Sequence, residues 1–428
     1  MKSGMKHTII GEIPADWEVV RLGDLCERIT KGTTPTTMGY KYQSEGISFV
    51  KIESIGANGS IIPRMVAFIN EEAHLALERS QLKKNDILFS IAGALGRTAI
   101  VDDTILPANT NQALAIIRLQ HKAQVKYVYH YLRSDFVTSV IQKINVQTAQ
   151  ANLSLGDMQK FYVPLPPLSE QQKIAEILST VDEKMAVMDE QLAQTQELKK
   201  GLMQRLLTKG IGHTAYKESP LGQIPESWEI KSLGELAEKI SDGIHSTPQY
   251  ISDSQYYFIN GNNLVDGVIR IGSNPKCVSE EEFIKHRKDL NERTVLMSIN
   301  GTIGNLAFYK GETVVLGKSA AYIKCKQSFN VSFLYYLLQS DVVKSYFHKE
   351  LTGTTIKNLS LKTIKTALVA VPKAEEQHQI ARILTTVDEK LQVLTDKKAQ
   401  YQELKRGLMQ QLLTGQRRVR VVAETATV

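Results

Sequence analysis

Cysteine and long apolar runs are both scarce in this sequence of 428 residues. The three cysteines, Cys26, Cys277 and Cys325, lie far apart, which excludes a CxxC zinc pair and a disulfide framework. No apolar run reaches the roughly 18–20 residues that cross a bilayer, and residues 1–12 lack the apolar core of a signal peptide. These absences predict a cytoplasmic chain with reduced thiols and no membrane contact.

Motifs that carry catalysis or hold a cofactor are absent as well. The nine histidines lack the spacing of metal ligands, and no Gly-x-Ser-x-Gly elbow occurs. Five residues separate Gly311 from Gly317, where a phosphate-binding loop has four. The adenine methyltransferase signature, Asn or Asp before Pro-Pro-Tyr or Pro-Pro-Phe, is also missing. We therefore expect a non-catalytic chain that binds no cofactor and no metal itself.

An internal repeat is the strongest positive signal in the sequence. Residues 13–18 (IPADWE) return as residues 224–229 (IPESWE), and these segments contain the two tryptophans. The segments 170–208 and 376–414 are identical at roughly five positions in eight, and both carry Thr-Val-Asp-Glu-Lys and Gln-Glu-Leu-Lys. The repeat predicts two related globular domains, each followed by a nearly identical long helix.

The two similar segments have apolar residues at alternating spacings of four and three, which is the period of a coiled-coil seam. About 40 residues would form a rod of roughly 60 Å. We expect the two helices to pair antiparallel within the chain, with the two domains related by a pseudo-twofold axis; a coil between two chains is the alternative. The predicted seam residues are Ile174, Leu178, Val181, Met185 and Met188 in the first helix and Ile380, Leu384, Val387, Leu391 and Leu394 in the second.

Short strand-like runs followed by helical stretches at 125–143 and 331–350 give each globular part the pattern of a small domain that mixes helices and strands. The predicted fold class is thus α+β (mixed α/β), with two domains separated by the helix pair. The predicted segments are an arm (1–12), a first domain (13–167), a first long helix (168–211), a second domain (212–373), a second long helix (374–415) and a basic tail (416–428), which we expect to be solvated.

With its two tryptophan-containing openings and two helices of the form Glu-Gln-x-x-Ile-Ala-x-Ile-Leu, the chain resembles the specificity subunits of type I restriction–modification systems. The resemblance covers essentially the whole chain. It implies two target recognition domains that each read one half of an asymmetric, bipartite DNA site, with the helix pair setting the spacer. It also implies that two modification subunits dock on the helices, that restriction subunits join them, and that these partners bind S-adenosylmethionine, ATP and Mg²⁺.

Candidate DNA-binding residues come from the polar, glycine-containing loops and from the net charge of +7. Lysine, arginine, asparagine and threonine are residue types that reach phosphates and base edges; an ordinary basic surface is the alternative. The predicted residues are Lys31, Thr33, Lys41, Lys51, Arg97 and Asn111 in the first domain and His245, Asn260, Asn262, Lys276, Arg287, Lys318 and Lys357 in the second.

Two other functions stay open at this point. The chain could be a stand-alone DNA methyltransferase or nuclease, which the missing motifs disfavour. It could also be a coiled-coil scaffold that does not bind DNA.

Overall fold

A computed structural model describes residues 4–121, 123–145, 152–352 and 357–420. The chain divides into two compact units. The first unit comprises Met1–Glu190 and Thr395–Val428, and the second comprises Gln191–Leu394. Each long helix contributes one part to each unit.

The first unit contains eleven strands and four short helices among its described residues. The strands are β1 (Met5–Thr8), β2 (Gly11–Pro14), β3 (Glu18–Arg21), β4 (Cys26–Lys31), β5 (Ile47–Val50), β6 (Ala67–Ile69), β7 (Ile87–Ser90), β8 (Thr98–Ile100), β9 (Ala108–Thr110), β10 (Leu114–Leu119) and β11 (Tyr162–Leu165). The helices are α1 (Glu71–Ala76), α2 (Val125–Leu132), α3 (Asp135–Asn145) and α4 (Leu155–Gln159). The first long helix, α5, spans Leu168–Leu206.

The second unit repeats this plan. Its strands are β12 (Tyr216–Lys217), β13 (Ile224–Pro225), β14 (Glu229–Ser232), β15 (Ala237–Asp242), β16 (Tyr250–Ile251), β17 (Tyr257–Ile259), β18 (Leu264–Val265), β19 (Val268–Ile269), β20 (Cys277–Val278), β21 (Thr294–Ser298), β22 (Leu306–Phe308), β23 (Val314–Leu316), β24 (Ala320–Cys325) and β25 (Leu368–Val371). Its helices are α6 (Leu233–Leu236), α7 (Glu280–His286), α8 (Val331–Gln339), α9 (Asp341–Lys349) and α10 (Leu361–Thr366), and the second long helix is α11 (Ala374–Leu412).

An antiparallel four-stranded sheet lies at the centre of each unit, in the order β4-β10-β7-β8 in the first and β15-β24-β21-β22 in the second. Side chains alternate between the two faces of a strand, and both faces are covered here. Ile87 and Phe89 of β7 face one apolar cluster, whereas Leu88 faces another. Because both of their faces are buried, the inner strands β7 and β21 consist mostly of consecutive apolar residues.

Each unit also contains a second sheet, which includes one parallel strand pair. Its order is β6-β5-β9 in the first unit and β16-β20-β17-β23 in the second. The pairs β5/β9 and β17/β23 are parallel, and the other pairings in these sheets are antiparallel. The mixed helix and sheet fold with two domains and a long central helix, predicted above, is therefore confirmed.

The long helices pack into the cores of the units as well as against each other. Ile174 and Leu178 of α5 are fully buried in the first core beside Leu412 of α11. In the second core Ile380 and Leu384 of α11 are buried in the same way. The apolar repeat therefore anchors each helix start in a globular core. The other predicted seam residues are Val181 and Leu394, which are buried, and Met185, Met188, Val387 and Leu391, which are half-buried.

The predicted helical stretches at 125–143 and 331–350 are helical, and each consists of two helices separated by a break. Ser134 and Ser340 stand at the breaks. The Oγ of each accepts a hydrogen bond from the backbone N–H three residues later, at 3.4 Å. A serine followed by an acidic residue is a helix N-cap signal, and it starts α3 and α9.

Candidate nucleic-acid interface

The carboxyl ends of β5 and β9 lie side by side in the first unit. Val50 is opposite Thr110 in this parallel pair, so Lys51 and Asn111 leave the sheet at the same edge. Thr33 joins them, because its N–H donates to the Thr110 carbonyl at 3.1 Å. Three predicted DNA-binding residues thus come together at what we call the β5/β9 edge, and loops beyond the carboxyl ends of parallel strands commonly hold ligands.

The second unit has an equivalent β17/β23 edge. Asn260 directly follows β17, and Lys318 lies two residues beyond β23. The Ile244 N–H donates to the Leu316 carbonyl at 2.7 Å, which brings the exposed His245 to this edge. Three predicted residues of the second domain are therefore also collected at one place.

The same backbone turn follows the first strand of each parallel pair. Lys51 is the N-cap of the 3₁₀ turn Ile52–Ser54, and Asn260 is the N-cap of Gly261–Asn263. In each turn the N–H of the N-cap residue donates to the side chain of the last residue, at 3.1 and 2.9 Å. The backbone geometry is retained, whereas the side chains that it presents differ.

The exposed position in the middle of this turn carries Glu53 in the first unit and Asn262 in the second. A carboxylate accepts a hydrogen bond from cytosine N4, whereas an amide pairs with the N6 and N7 of adenine. The two edges therefore offer different base-reading chemistry at equivalent positions. Glu53 was not among the predicted residues.

One glycine in each unit allows a loop to approach the parallel strands closely. Gly32 lies in the loop after β4, and Gly243 lies in the loop after β15. A Cβ on Gly32 would lie 2.0 Å from the Thr110 carbonyl oxygen, and one on Gly243 would lie 2.1 Å from that of Leu316. Neither distance leaves room for a side chain. The glycines in Lys-Gly-Thr and Asp-Gly-Ile are thus required by the close approach of two backbones.

An aromatic pair with a lysine lies beside the β5/β9 edge. The ammonium of Lys51 is 4.2 Å from the ring centre of Tyr42, within the range of a cation–π contact. Tyr42 packs edge-on against Phe49, with ring centres 5.5 Å apart. Burial, and then the Glu53 carboxylate, raises the pKa of Tyr42, so the phenol stays protonated and can donate a hydrogen bond.

A matching cluster lies in the second unit. The ammonium of Lys276 is 5.1 Å from the ring centre of Tyr250, whose ring is edge-on to Phe258 with centres 5.6 Å apart. Sequence analysis named both lysines and missed both tyrosines. A single exposed tyrosine belongs to no apolar periodicity that would mark it in the sequence. The equivalence of Tyr42 and Tyr250 becomes visible only when the two units are compared in three dimensions.

Two arginines border the β5/β9 edge. Arg79 donates from Nη2 to the Thr33 hydroxyl at 2.9 Å and was missed by sequence analysis. Arg97, which was predicted, donates from Nη1 to the Ile55 carbonyl at 3.1 Å. Part of each guanidinium is therefore used to hold the protein loops.

The remaining predicted residues are exposed, but no described contact joins them to the two edges. Lys31 lies in β4 opposite Ala115, and Lys41 precedes Tyr42. Arg287 ends α7. The Lys357 carbonyl accepts from the Gly301 N–H at 3.3 Å. Their roles in DNA binding stay predictions.

The repeated helix segments supply ion pairs between the antiparallel helices. In the first unit Asp182 of α5 pairs with Lys405 of α11 at 2.5 Å, and Asp189 pairs with Lys398. The second ion pair thus lies seven residues later than the first in α5 and seven residues earlier in α11, as expected for antiparallel helices. In the second unit Lys199 pairs with Asp388 at 2.7 Å.

A buried histidine packs against the first of these ion pairs. His130 is 1% exposed, and its Nε2 lies 3.2 Å from the Ser179 hydroxyl. Burial, and then the positive charge of Lys405, lowers the pKa of His130 to about 3. In the second unit Tyr336 takes the same place and donates to Asp388 at 2.9 Å.

The opening tryptophan of each unit is tied to the start of a long helix. Trp17 donates from Nε1 to Glu170 at 3.1 Å, and Arg418 binds the same carboxylate at 2.7 Å. Arg418 also binds Asp16. The prediction of a solvated tail is therefore wrong for Arg418, whereas residues 421–428 of the tail, like residues 1–3 of the arm, lie outside the described residues.

The second unit has the same arrangement with a different cation. Trp228 donates to Glu376 at 3.0 Å, and His213 Nε2 lies 2.8 Å from that carboxylate. These contacts explain why the tryptophans and the glutamates recur in the repeat: each pair attaches a globular domain to a helix.

Over the part of the chain that the structure describes, no group of three or more His, Cys, Asp or Glu side chains could hold a metal ion. Nor is any helix within the described ranges long and apolar enough to cross a membrane.

These features define a class of protein in which two related domains carry equivalent loop edges with different side chains, each tied to a pair of long helices. The chain belongs to the type I restriction modification DNA specificity domain family, whose profile matches residues 14–197 and 225–403. Family membership confirms the predicted resemblance and identifies the chain as a non-catalytic specificity subunit.

Several specificity subunits resemble the chain over most of its length. A Methanocaldococcus jannaschii protein, provisionally named the MjaX type I restriction enzyme specificity subunit, is 29% identical and covers 98% of both chains. The MjaVIII specificity subunit of the same organism is 25% identical over 95% of this chain and 94% of its own. The EcoBI specificity subunit of Escherichia coli is 26% identical over 64% of this chain and 61% of its own.

Solved structures share the fold. The S subunit of a type I restriction–modification system from M. genitalium matches with a TM-score of 0.58, 16% identity, and coverage of 92% of this chain and 96% of its own. A chain from a structure of type I restriction–modification complex assembly and conformational transition matches with a TM-score of 0.55 and 20% identity, over 94% of this chain and 99% of its own.

Proposed function

We propose that this chain reads an asymmetric, bipartite DNA site for a type I restriction–modification complex, with one half-site for each unit. The observation that carries the proposal is the pair of equivalent edges, β5/β9 and β17/β23, which keep one backbone and present different side chains. Identical edges would favour a palindromic site. Different edges favour two different half-sites.

Affinity should come mainly from lysine and arginine side chains on phosphates, and it should therefore fall with salt. Base discrimination should come from the polar side chains at the edges, each bidentate contact adding about 1–3 kcal/mol against the wrong base. We assign the predicted DNA-binding residues to these two roles. We also propose a cytoplasmic location, because the proposed target is DNA and the cysteines of the described residues are free thiols.

We further propose that two modification subunits dock on the long helices and that restriction subunits join this assembly. S-adenosylmethionine, ATP and Mg²⁺ would be bound by those subunits. Support comes from apolar side chains on the helix pair that stay about half exposed at repeat-equivalent positions: Val187 and Leu198 in α5, and Val393 and Leu404 in α11. Exposed apolar residues at matching positions of the two helices would provide two equivalent sites for two identical partner subunits.

The proposal is tested by exchanging residues 13–167 for the recognition domain of another specificity subunit. Methylated adenines are then mapped in cells that carry the complete system. We expect one half-site to change and the other to stay intact, and the reciprocal exchange of residues 212–373 should change the other half. A change in both halves from either exchange would contradict the assignment of one half-site to each unit.

The two alternative functions have distinct outcomes. Methylation or cleavage of DNA by the purified chain alone would favour a stand-alone enzyme. Failure to bind any DNA after assembly with modification subunits would favour a scaffold.

A further inference from the structure

The Lys–Tyr–Phe clusters of the two units occupy the same place but are built from different sequence positions. Phe49 and Phe258 are both the next-to-last residues of the first strand in the parallel pair. Tyr42 and Tyr250 both come from the segment that precedes this strand. The aromatic pairs are therefore equivalent through the duplication.

The lysines are not equivalent. Lys51 follows β5, where the second unit has Asn260. Lys276 precedes β20, and its carbonyl accepts from the Phe258 N–H at 2.8 Å. The residue opposite Phe49 in the first unit is Ala67. Each unit thus places a lysine ammonium over the equivalent tyrosine ring. In each unit the lysine comes from a position at which the other unit has no cation.

Descent from a common ancestor does not explain this agreement, because it would place the lysines at the same position. Folding stability does not explain it either. Tyr42 is 36% and Tyr250 37% exposed, and a cation–π contact at an exposed site contributes little to stability. A shared task on the outside of the protein accounts for both observations.

The geometry indicates what that task is. An ammonium is a compact point charge on a flexible stem, and it binds phosphate in that form. The tyrosine ring holds the stem in one position, which lowers the entropy lost on binding. The cluster also borders the edge itself, since a Cβ on Gly317 would lie 2.6 Å from the Phe258 ring and 2.3 Å from the Asn260 amide oxygen.

We propose that Lys51 and Lys276 are backbone anchors, each binding one DNA phosphate beside the half-site that its unit reads, with Tyr42 and Tyr250 as their positioning residues. This inference rests on the proposed function. It assigns the lysines to affinity and leaves base discrimination to the other side chains of the edges.

The test uses the full chain assembled with its modification subunits and a duplex that carries both half-sites found by methylation mapping. Binding is measured from about 50 to 200 mM salt on this duplex and on a scrambled one. Lys51→Ala and Lys276→Ala should each reduce the slope of log K against log salt by about 0.9. The ratio of wild-type to variant affinity should therefore shrink by about threefold over that range, equally on both duplexes.

Lys160→Ala and Lys365→Ala are the matched controls. Both lysines are exposed; Lys160 directly follows α4 and Lys365 lies in α10, and these two short helices contact the opening segments. They should leave the slope unchanged. Tyr42→Phe and Tyr250→Phe keep the ring and should bind as wild type. Tyr42→Leu and Tyr250→Leu remove the ring and should weaken binding to both duplexes several-fold without changing which duplex is preferred.

Three outcomes would overturn the inference. If wild type binds the specific duplex and the lysine variants keep its salt slope, the anchors do not exist, although the proposed function stands. If the lysine variants keep the wild-type slope of log K against log salt but no longer prefer the specific duplex to the scrambled one, the lysines read bases. If wild type binds neither duplex, the proposed function fails, and the anchors fail with it.

Discussion

Lys405 of α11 and Asp182 of α5 form an ion pair that is largely buried, with 2.5 Å between Nζ and Oδ1. Lys199 and Asp388 form its counterpart in the second unit. The aspartates belong to the repeated Thr-Val-Asp-Glu-Lys motif and the lysines to Gln-Glu-Leu-Lys. The repeat thus retains these motifs because each aspartate requires a lysine from the antiparallel helix.

Replacing Asp182 with Asn should destabilise the first unit. Lys405 is 9% exposed, so without its carboxylate partner it becomes a buried, uncompensated charge. We expect a loss on the order of 2 kcal/mol, smaller than for a fully buried pair because Asp182 remains partly exposed. The midpoint of thermal unfolding measures the effect, and Asp182→Lys combined with Lys405→Asp should restore part of it.

Asp189→Asn is the matched control. Its ion pair with Lys398 lies one heptad away and is more exposed, so its loss should cost less than about 1 kcal/mol. Equal losses in the two variants would contradict the importance of burial for the Asp182 pair.

The buried imidazole of His130 should make the first unit sensitive to acid. Burial, and then Lys405, lowers its pKa to about 3, whereas histidine in an unfolded chain titrates near 6.5. Between these values the unfolded state binds more protons. The free energy of unfolding should therefore fall as the pH drops below about 6.5, by up to ~1.4 kcal/mol per pH unit.

The second unit suggests the variant that tests this pH dependence. His130→Tyr introduces the residue found at the equivalent position, Tyr336, and should lessen the fall in melting temperature between pH 7 and pH 5. His348→Tyr changes an exposed histidine and should keep the wild-type dependence. The same fall in both variants would show that another group controls acid stability.

Lengthening both long helices should change the spacer of the DNA site. Seven residues inserted after Glu190 and seven after Leu394 leave the ion pairs inside each unit unchanged and preserve the heptad phase. Each helix grows by about 10 Å, which corresponds to about three base pairs of DNA. Mapping of methylated adenines should show a longer spacer between unchanged half-sites, and altered bases within a half-site would contradict the role of the helices.

The exposed apolar residues of the helix pair should hold the modification subunits. Leu198→Glu and Leu404→Glu each place a charge at one of two equivalent positions, and each should remove one modification subunit from the complex. The mass of the complex in solution measures this directly. Glu197→Lys and Glu403→Lys are controls that change the charge beside these leucines, and they should leave the stoichiometry intact if apolar contact drives docking.

The duplicated architecture could be predicted because it depends on periodicity and self-similarity. The spacing of Ile174 and Leu178 predicts a buried helix face without any knowledge of the residues that pack against it. The breaks at Ser134 and Ser340 could also have been found, since a serine before an aspartate is a cap signal. The apolar pattern continues through both breaks and concealed them.

The edges could be predicted only in part. Thr33, Lys51 and Asn111 were named from residue type, but their meeting depends on the parallel pairing of β5 with β9, which separates Lys51 from Asn111 by about 60 residues of sequence. Arg79, Tyr42 and Glu53 carry no local signal. Their roles follow from neighbours that a single sequence does not reveal.

The central claim is that the β5/β9 edge reads one half-site and the β17/β23 edge reads the other. It is tested by mapping methylated adenines in cells that carry the complete system with polar side chains changed at one edge. One variant combines Thr33→Val, Glu53→Gln and Asn111→Asp, and the other combines His245→Gln, Asn262→Asp and Lys318→Gln. We predict that each variant alters or relaxes the bases of a single half-site, a different one in each case. Changes in both half-sites from one variant, or in neither half-site from either variant, would contradict the claim.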